Sequence, residues 1–153
     1  MQRAQRARTL NVHGIALDIS AWPLVQVTPP PYSLSDEAVM EFVDFHRKLV
    51  RSQPTPHVLI LDLRDCDRLN NHQRTRLSKV LSSADDDGAA SSCAGTALVF
   101  SSPMLRGILT ATFWVFRPLY PVKVWPDVAS AQRWAYTLLA GSAQLSNATD
   151  RAA

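Results

Sequence analysis

Stretches of alternating apolar and polar residues mark the first regular elements of the chain. They cover residues 13–19 and 24–28, with Trp22-Pro23 between them. A period of two is typical of half-buried strands, so the pattern predicts two adjacent strands joined by a short turn. Prolines occupy positions 29 to 31. Because proline lacks a backbone donor and fixes its own φ, we expect a stiff connector there.

The apolar spacing becomes helical after this connector. A helix is predicted to begin near Ser35, because Asp36 and Glu37 then lie at the positive end of its dipole. Its buried face is expected to comprise Val39, Phe42, Val43, Leu49 and Val50. Prolines at 54 and 56 end it, and residues 57–63 are almost continuously apolar. Such a run predicts a central strand that is covered on both faces.

A polar region follows the central strand. The pair Asn70-Asn71 is suited to cap a second helix, whose apolar side would be Leu77, Val80 and Leu81. Residues 82–92 are predicted to form a polar loop. Three consecutive aspartates at 85–87 lie in it, but they lack the ligand spacing of an EF-hand. We therefore interpret this segment as a solvated loop and not as a calcium site.

The second half of the chain alternates strands and helices. We predict a strand at 96–100, a helix at 103–116 that starts at Ser102-Pro103, a strand at 122–125 and a last helix capped by Asp127. Its inward residues would be Val128, Ala131, Ala135, Leu138 and Leu139, and Gly141 would end it. The order ββαβαβαβα predicts an α/β fold with a mostly parallel central sheet and crossover helices. The domain would span residues 11–141, between a basic disordered tail at 1–10 and a disordered tail at 142–153.

Charge, length and cysteine usage narrow the possible functions. The chain has 153 residues with 16 basic and 13 acidic side chains, but three arginines lie in the first eight residues. The remaining 13 basic residues balance the acidic ones, which disfavours nucleic-acid binding. No apolar run approaches the roughly 20 residues of a membrane helix, so we expect a cytoplasmic protein without a transmembrane segment. Cys66 and Cys93 would lie at opposite ends of neighbouring strands and are expected to be free thiols.

Polar residues concentrate at the carboxyl end of the central strand, where open α/β sheets place their ligands. They are Asp62, Arg64, Asp65, Asp67, His72 and Arg74. Asp67 with His72 would suit an acid/base pair, and the amides beside Asn70 and Asn71 would suit an anion. Surface ion pairs and helix capping explain the same residues, and we favour them. The sequence lacks the common nucleotide-binding and hydrolase motifs. We expect no catalytic residues, no metal and no cofactor.

The helix at 103–116 has more apolar residues than one buried stripe requires. Leu105, Ile108, Leu109, Thr112, Phe113 and Phe116 would cover the sheet, leaving Met104, Ala111, Trp114 and Val115 for the flanks and the opposite side. Either the helix is buried on all sides, or it presents an apolar patch to a partner, a ligand or a membrane surface. In the second case Arg106 and Arg117 would flank the patch and meet a lipid head group or a partner's carboxylate.

Three stretches can be compared with known families: residues 58–64, residues 93–100 and above all residues 101–111, which read SSPMLRGILTA. Together with the order of elements, they resemble STAS domains of the SpoIIAA-like superfamily. Residues 113–127 are similar to the close of a bacterial STAS/CRAL-TRIO-like group. The resemblance spans residues 12–140 and implies a STAS fold. In signalling members it also implies a phosphorylatable serine after the central strand. Here that stretch reads Leu69-Asn70-Asn71-His72-Gln73, without a hydroxyl group, so we expect no phosphoryl switch.

These observations lead to a regulatory, non-enzymatic protein-interaction module as the first hypothesis. The partner would be another protein or a second copy of the chain. The contact surface would comprise Arg64, Asp67, Asn70, Asn71, His72, Met104, Arg106, Trp114, Val115 and Arg117. Binding of a hydrophobic small molecule or lipid is the alternative, and an enzyme of unassigned reaction comes third. A pocket between the 103–116 helix and the sheet would favour the ligand, whereas an exposed apolar face would favour the protein partner.

Overall fold

The computed structural model describes residues 8–53, 55–65, 93–115, 118 and 120–151. These residues form a mixed α/β structure with six strands, β1 Thr9–Val12, β2 Ile15–Asp18, β3 Leu24–Thr28, β4 His57–Asp62, β5 Cys93–Val99 and β6 Val122–Trp125. The helices are α1 Asp36–Arg51, α2 Pro103–Val115 and α3 Val128–Arg151. The strands lie side by side in chain order; the two pairings from β1 to β3 are antiparallel and the three from β3 to β6 are parallel. The predicted α/β class is confirmed.

The sheet separates three helices into two layers. Along β4, Leu59 and Leu61 face the clusters packed under α1 and α2, whereas Val58 and Ile60 belong to the cluster under α3. Successive side chains of a strand point to opposite faces, so α1 and α2 share one face and α3 covers the other. The prediction that β4 is a central strand covered on both faces is confirmed, with Val58 and Ile60 fully buried.

Strand β1 was not expected from the sequence. It pairs with β2 through a two-residue turn in which His13 has φ 53° and Gly14 has φ 84°. Two successive residues with positive φ match the twist of a tight hairpin, and glycine adopts that conformation without steric cost. The Gly14 N–H also donates to Asn11 Oδ1 at 3.0 Å. Thr9 and Leu10 therefore belong to the sheet, and the expected limit of the basic tail at residue 10 is wrong.

Helix α3 continues well past the position where it was expected to end. It runs to Arg151, so residues 142–151 are helical where a disordered tail was expected. Gly141 ends a helix only when its backbone turns to positive φ, and its φ is not positive. Glycine inside a helix costs about 1 kcal/mol relative to alanine, which the neighbouring residues offset. The predicted inward residues of α3, including Ala131 and Ala135, do pack on the sheet.

Several predictions lie outside the described residues. They concern the tail residues 1–7, the helix capped by Asn70 and Asn71, the loop at 82–92 and the state of Cys66. Within the described residues, no helix has the length and apolar character that crossing a membrane requires.

Candidate interaction surface

The first turn of α2 fixes where this helix lies. Ser102 accepts two hydrogen bonds, from the Leu105 N–H at its Oγ (3.4 Å) and from the Arg106 N–H at its carbonyl (3.1 Å). Pro103 occupies the first helical position, where its missing N–H leaves no bond unmade. Because the cap follows β5 almost directly, α2 starts at the carboxyl end of the parallel strands and returns toward their amino ends, as predicted for residues 103–116.

The inner face of α2 is packed directly on the sheet. Leu105, Leu109 and Phe113 contact the cluster formed by Leu63, Leu98 and Phe100, with Val122 and Val124 beside it. Leu109 is buried, and Phe100 below it is fully buried. The side chains that attach α2 to the sheet therefore use only one stripe of the helix.

The opposite side of α2 is apolar and exposed to solvent. Met104 is 73% exposed, Ile108 38% and Val115 77%. Together with Ala111, which is also exposed, they follow the spacing i, i+4, i+7 and i+11 of a single helix face. Trp114, which is 82% exposed, lies on one flank with Gly107, seven residues earlier. We call these six residues the α2 outer face: Met104, Gly107, Ile108, Ala111, Trp114 and Val115.

The polar side chains of α2 are turned back onto the helix itself. Thr110 Oγ1 donates to the Arg106 carbonyl at 2.8 Å, and Thr112 Oγ1 donates to the Ile108 carbonyl at 2.9 Å. Arg106, the one charged residue of this helix, donates from Nη1 to the carbonyls of Phe100 (2.9 Å) and Ser101 (2.8 Å). Arg106 is thus engaged within the chain, while its expected contact with a head group or a partner's carboxylate stays a prediction. The Arg106 side chain caps the carboxyl end of β5, because those carbonyls lie beyond the sheet pairing.

A second polar centre lies at the carboxyl end of β4. Asp62 is buried and receives a bidentate pair from Arg64, with Nε donating to Oδ1 at 2.9 Å and Nη2 to Oδ2 at 2.8 Å. These hydrogen bonds hold the pKa of Asp62 below its usual value although burial acts in the opposite direction, and they raise the pKa of Arg64. Asp62 is thus held in its ionised form near neutral pH as a hydrogen-bond acceptor. The pair stabilises the strand end and supplies no exchangeable proton near neutral pH.

The Arg64 pair and the α2 outer face lie on different sides of the sheet. Asp62 alternates with Leu61, so it points to the face covered by α3, and Asp127 at the start of α3 interacts electrostatically with Arg64. Asp127 caps α3 by accepting from the Ser130 N–H at 2.7 Å, and the hydrogen bonds from Ser130 lower its pKa. The structure therefore brings Met104, Trp114 and Val115 onto one helix but does not join Arg64 to them. The other expected contact residues, Asp67, Asn70, Asn71, His72 and Arg117, lie outside the described part of the chain.

Sequence reasoning missed a group of rings in which His46 of α1 and Trp22, just before β3, contact the buried His57 of β4. His46 and His57 lie with their ring centroids 5.8 Å apart, and Trp22 stacks on His57 at 5.9 Å. Burial lowers the pKa of His46 to about 4, and the charges of His57 and Arg47 act in the same direction. The sequence separation of these residues gave no signal, because the contact depends on how α1 crosses the sheet. His13 lies elsewhere and pairs with Glu41.

The described residues offer neither a metal site nor a reactive thiol. Among the described residues, no three histidine, cysteine, aspartate or glutamate side chains are arranged to hold a metal ion. Cys93 is a free thiol whose pKa is raised by burial, and burial raises the pKa of the nearby Tyr120 to about 12. Both groups therefore stay protonated near neutral pH, and burial makes the Cys93 thiol a poor nucleophile.

Comparison with known proteins gives no match. Neither a protein family, nor a curated protein, nor a solved structure is significantly similar to this chain.

Proposed function

We propose that this chain is a non-enzymatic regulatory protein-interaction module of STAS-like type, and that the α2 outer face is its contact surface. The observation that carries this proposal is the exposure of Trp114 and Met104 on a helix side without charge. Exposed apolar patches rimmed by polar residues are typical of sites where proteins dock. A large aromatic side chain at such a place can contribute a few kcal/mol to binding.

The STAS-like part of the proposal draws support from the order of elements. The antiparallel strands β1 to β3 lead into parallel strands, with α1 between β3 and β4 and α2 between β5 and β6. The stretch resembling that family, residues 101–111, forms the turn after β5 and the first turns of α2. We further propose that the segment after β4 is not a phosphoryl switch, because Asn70-Asn71-His72 offers no hydroxyl group. Stoichiometric phosphorylation within residues 64–82, found by peptide mapping, would contradict that part.

The packing of α2 favours a protein partner over a small ligand. Leu105, Leu109 and Phe113 occupy the space between this helix and the sheet, so the apolar surface that remains points outward. A flat outward face suits another folded surface, whereas small ligands are usually enclosed on most sides. Binding of a hydrophobic molecule or lipid remains the alternative outcome of the experiment below.

Site-directed photo-crosslinking in cells tests the proposal. A photoreactive amino acid replaces Met104 on α2 and, as a matched control, Met40 on α1, which is 54% exposed. We expect a discrete protein adduct from position 104, either with the chain itself or with another protein, and none from position 40. Adducts with lipid alone, or equal labelling from both positions, would refute the assignment of α2 as a protein-contact surface.

A further inference from the structure

We propose that the α2 outer face binds the same face of a second copy of this chain, in a two-fold symmetric dimer with the two α2 helices antiparallel. This inference rests on the proposed function, because it takes α2 as the contact surface and names what covers it. Three features of the described helix support it: the area of the exposed face, its lack of charge and the order of large and small residues along it.

The exposed area is sufficient for a small stable interface. Met104, Trp114 and Val115 are each more than two-thirds exposed, and with their neighbours they present roughly 600 Å² of mainly apolar surface. If both faces were covered completely, about 1,200 Å² would be removed from water, which is the lower end of the range for specific protein interfaces. A dimer through α2 alone is therefore feasible without contacts from other elements.

The α2 outer face also has no charge that would repel a second copy of itself. In a two-fold interface every residue near the axis meets a copy of itself or of a close neighbour, so a charged patch would repel its own copy. The α2 outer face carries no charged residue, and Arg106 is occupied with carbonyls at the end of β5. By contrast, an amphipathic helix that binds an anionic membrane normally has lysine or arginine beside its apolar face.

Large and small residues alternate in a way that fits an antiparallel pair. With the two-fold axis near the middle of α2, Met104 meets Val115 of the partner subunit and Ile108 meets Ala111 of the partner subunit. Trp114 on the flank meets Gly107 of the partner subunit, where no atom lies within 4 Å of the position a Cβ would occupy. Ile108 and Trp114 then each face a small residue, as interdigitated packing requires, and Met104 packs against Val115 at both ends of the pair.

Sedimentation velocity of the purified full chain provides the first test. We expect a monomer–dimer equilibrium over about two decades of concentration, and Ile108→Lys should raise the dissociation constant at least tenfold, because two lysines would meet near the axis. Met40→Lys on α1 is the control and should leave the equilibrium unchanged. Circular dichroism of both variants checks that they fold.

Disulfide trapping tests the antiparallel register independently of stability. In a background with Cys66 and Cys93 replaced by serine, chains carrying Met104→Cys should crosslink to chains carrying Val115→Cys. Met104→Cys should not crosslink to itself, because the two copies of that position would be about 16 Å apart, beyond disulfide reach.

The outcomes separate this inference from the proposed function. A protein that is monomeric at all concentrations, a dimer insensitive to Ile108→Lys, or self-crosslinking of Met104→Cys would each overturn the symmetric α2 dimer. If the chain is monomeric but the photo-crosslink at position 104 captures a different protein, the interaction module stands and only the second copy is rejected. If position 104 captures no protein at all, both fail.

Discussion

Helices α1 and α2 lie on the same face of the same sheet, yet the residues that they expose to solvent differ in character. The exposed positions of α1 are mostly charged: Asp36, Glu37, Met40, Glu41, Asp44, Lys48 and Arg51. The exposed positions of α2 include Met104, Ile108, Trp114 and Val115 and no charged residue. Both helices use their inner stripe in the same way, with Leu49 of α1 and Leu109 of α2 packed on the strands.

The difference shows that burial against the sheet does not explain the sequence of α2. A helix that only covers a sheet needs one apolar stripe, and α1 keeps to that pattern with acidic residues in its first turn and basic residues in its last. On α2 the apolar residues continue around to the solvent side, where isolated folding gains nothing from them. The contact surface proposed above for α2 would account for this contrast with α1.

The largest expected effect concerns the sheet on which both helices depend. Ile60 is fully buried in β4 under α3, so Ile60→Asp would place an unpaired carboxylate in the core. We expect loss of the cooperative thermal transition and of the native circular dichroism spectrum. Met40→Asp, at an exposed position of α1, should retain the parent spectrum. A folded Ile60→Asp protein would contradict the central position of β4.

The next effect separates the two sides of α2. Leu109→Ala removes a buried side chain from the contact with Phe100 and should cost about 3 kcal/mol, as truncations in packed cores do. Chemical denaturation at low protein concentration measures it. An effect below about 1 kcal/mol would mean that the inner stripe of α2 is not packed on the sheet, and the contrast with its outer face would disappear.

Protonation of His46 on α1 is expected to make the stability of the fold depend on pH. The pKa of His46 is lowered to about 4 in the folded state from an ordinary value of 6.5, so the unfolded chain binds this proton more tightly. The stability conferred by neutral His46 is therefore present above pH 6.5 and is lost as the pH falls toward 4. The groups that act on His46 are His57 and Arg47, and both disfavour its protonation.

Lowering the pH from 6.5 to 5 should reduce the free energy of unfolding by about 2 kcal/mol through protonation of His46 in the unfolded chain, since each pKa unit corresponds to about 1.4 kcal/mol. Unfolding curves at the two pH values measure the loss, and His46→Phe should reduce it. The carboxylates with lowered pKa, Asp62 and Asp127, do not affect this comparison, because the stability they confer is present above their ordinary pKa of 3.8 and is lost only as the pH falls below it. An unchanged loss in His46→Phe would show that another group is responsible.

Sequence pattern predicted those elements whose signals are local. The bounds of β6 and the beginnings of α1 and α2 agree with the prediction, because Ser35, Ser102-Pro103 and the flanking prolines mark them within a few residues. Counting apolar positions around α2 left two alternatives, a helix buried on all sides or an exposed apolar patch, and the exposure of Trp114 agrees with the second. Local signals are sufficient where a cap or a periodic stripe decides the structure.

The features that were missed depend on contacts between distant parts of the chain. Strand β1 has only four residues and is stabilised by pairing with β2, so its short alternation did not stand out from the basic residues before it. Helix α3 passes Gly141 because one unfavourable residue does not outweigh the helix formers around it. The contact between His46 and His57 exists only once α1 is docked.

The smallest effect on the isolated monomer is the most informative for the comparison of α1 and α2. Trp114 is 82% exposed, so Trp114→Ser leaves no cavity and should change the stability of the monomer by no more than about 0.5 kcal/mol.

If α2 is a dimer contact, folding of the parent chain is linked to association, and its thermal midpoint rises with protein concentration. Above the dissociation constant, each tenfold increase in protein concentration adds about 1.4 kcal/mol to the free energy of unfolding per dimer, or about 0.7 kcal/mol per chain. Trp114→Ser should abolish that dependence, whereas Tyr136→Ser, at an exposed position of α3, should retain it. Differential scanning calorimetry over a range of concentrations compares the three proteins. A concentration-independent loss of about 3 kcal/mol in Trp114→Ser would instead place this side chain in the core, and the solvent side of α2 would then need no partner to explain it.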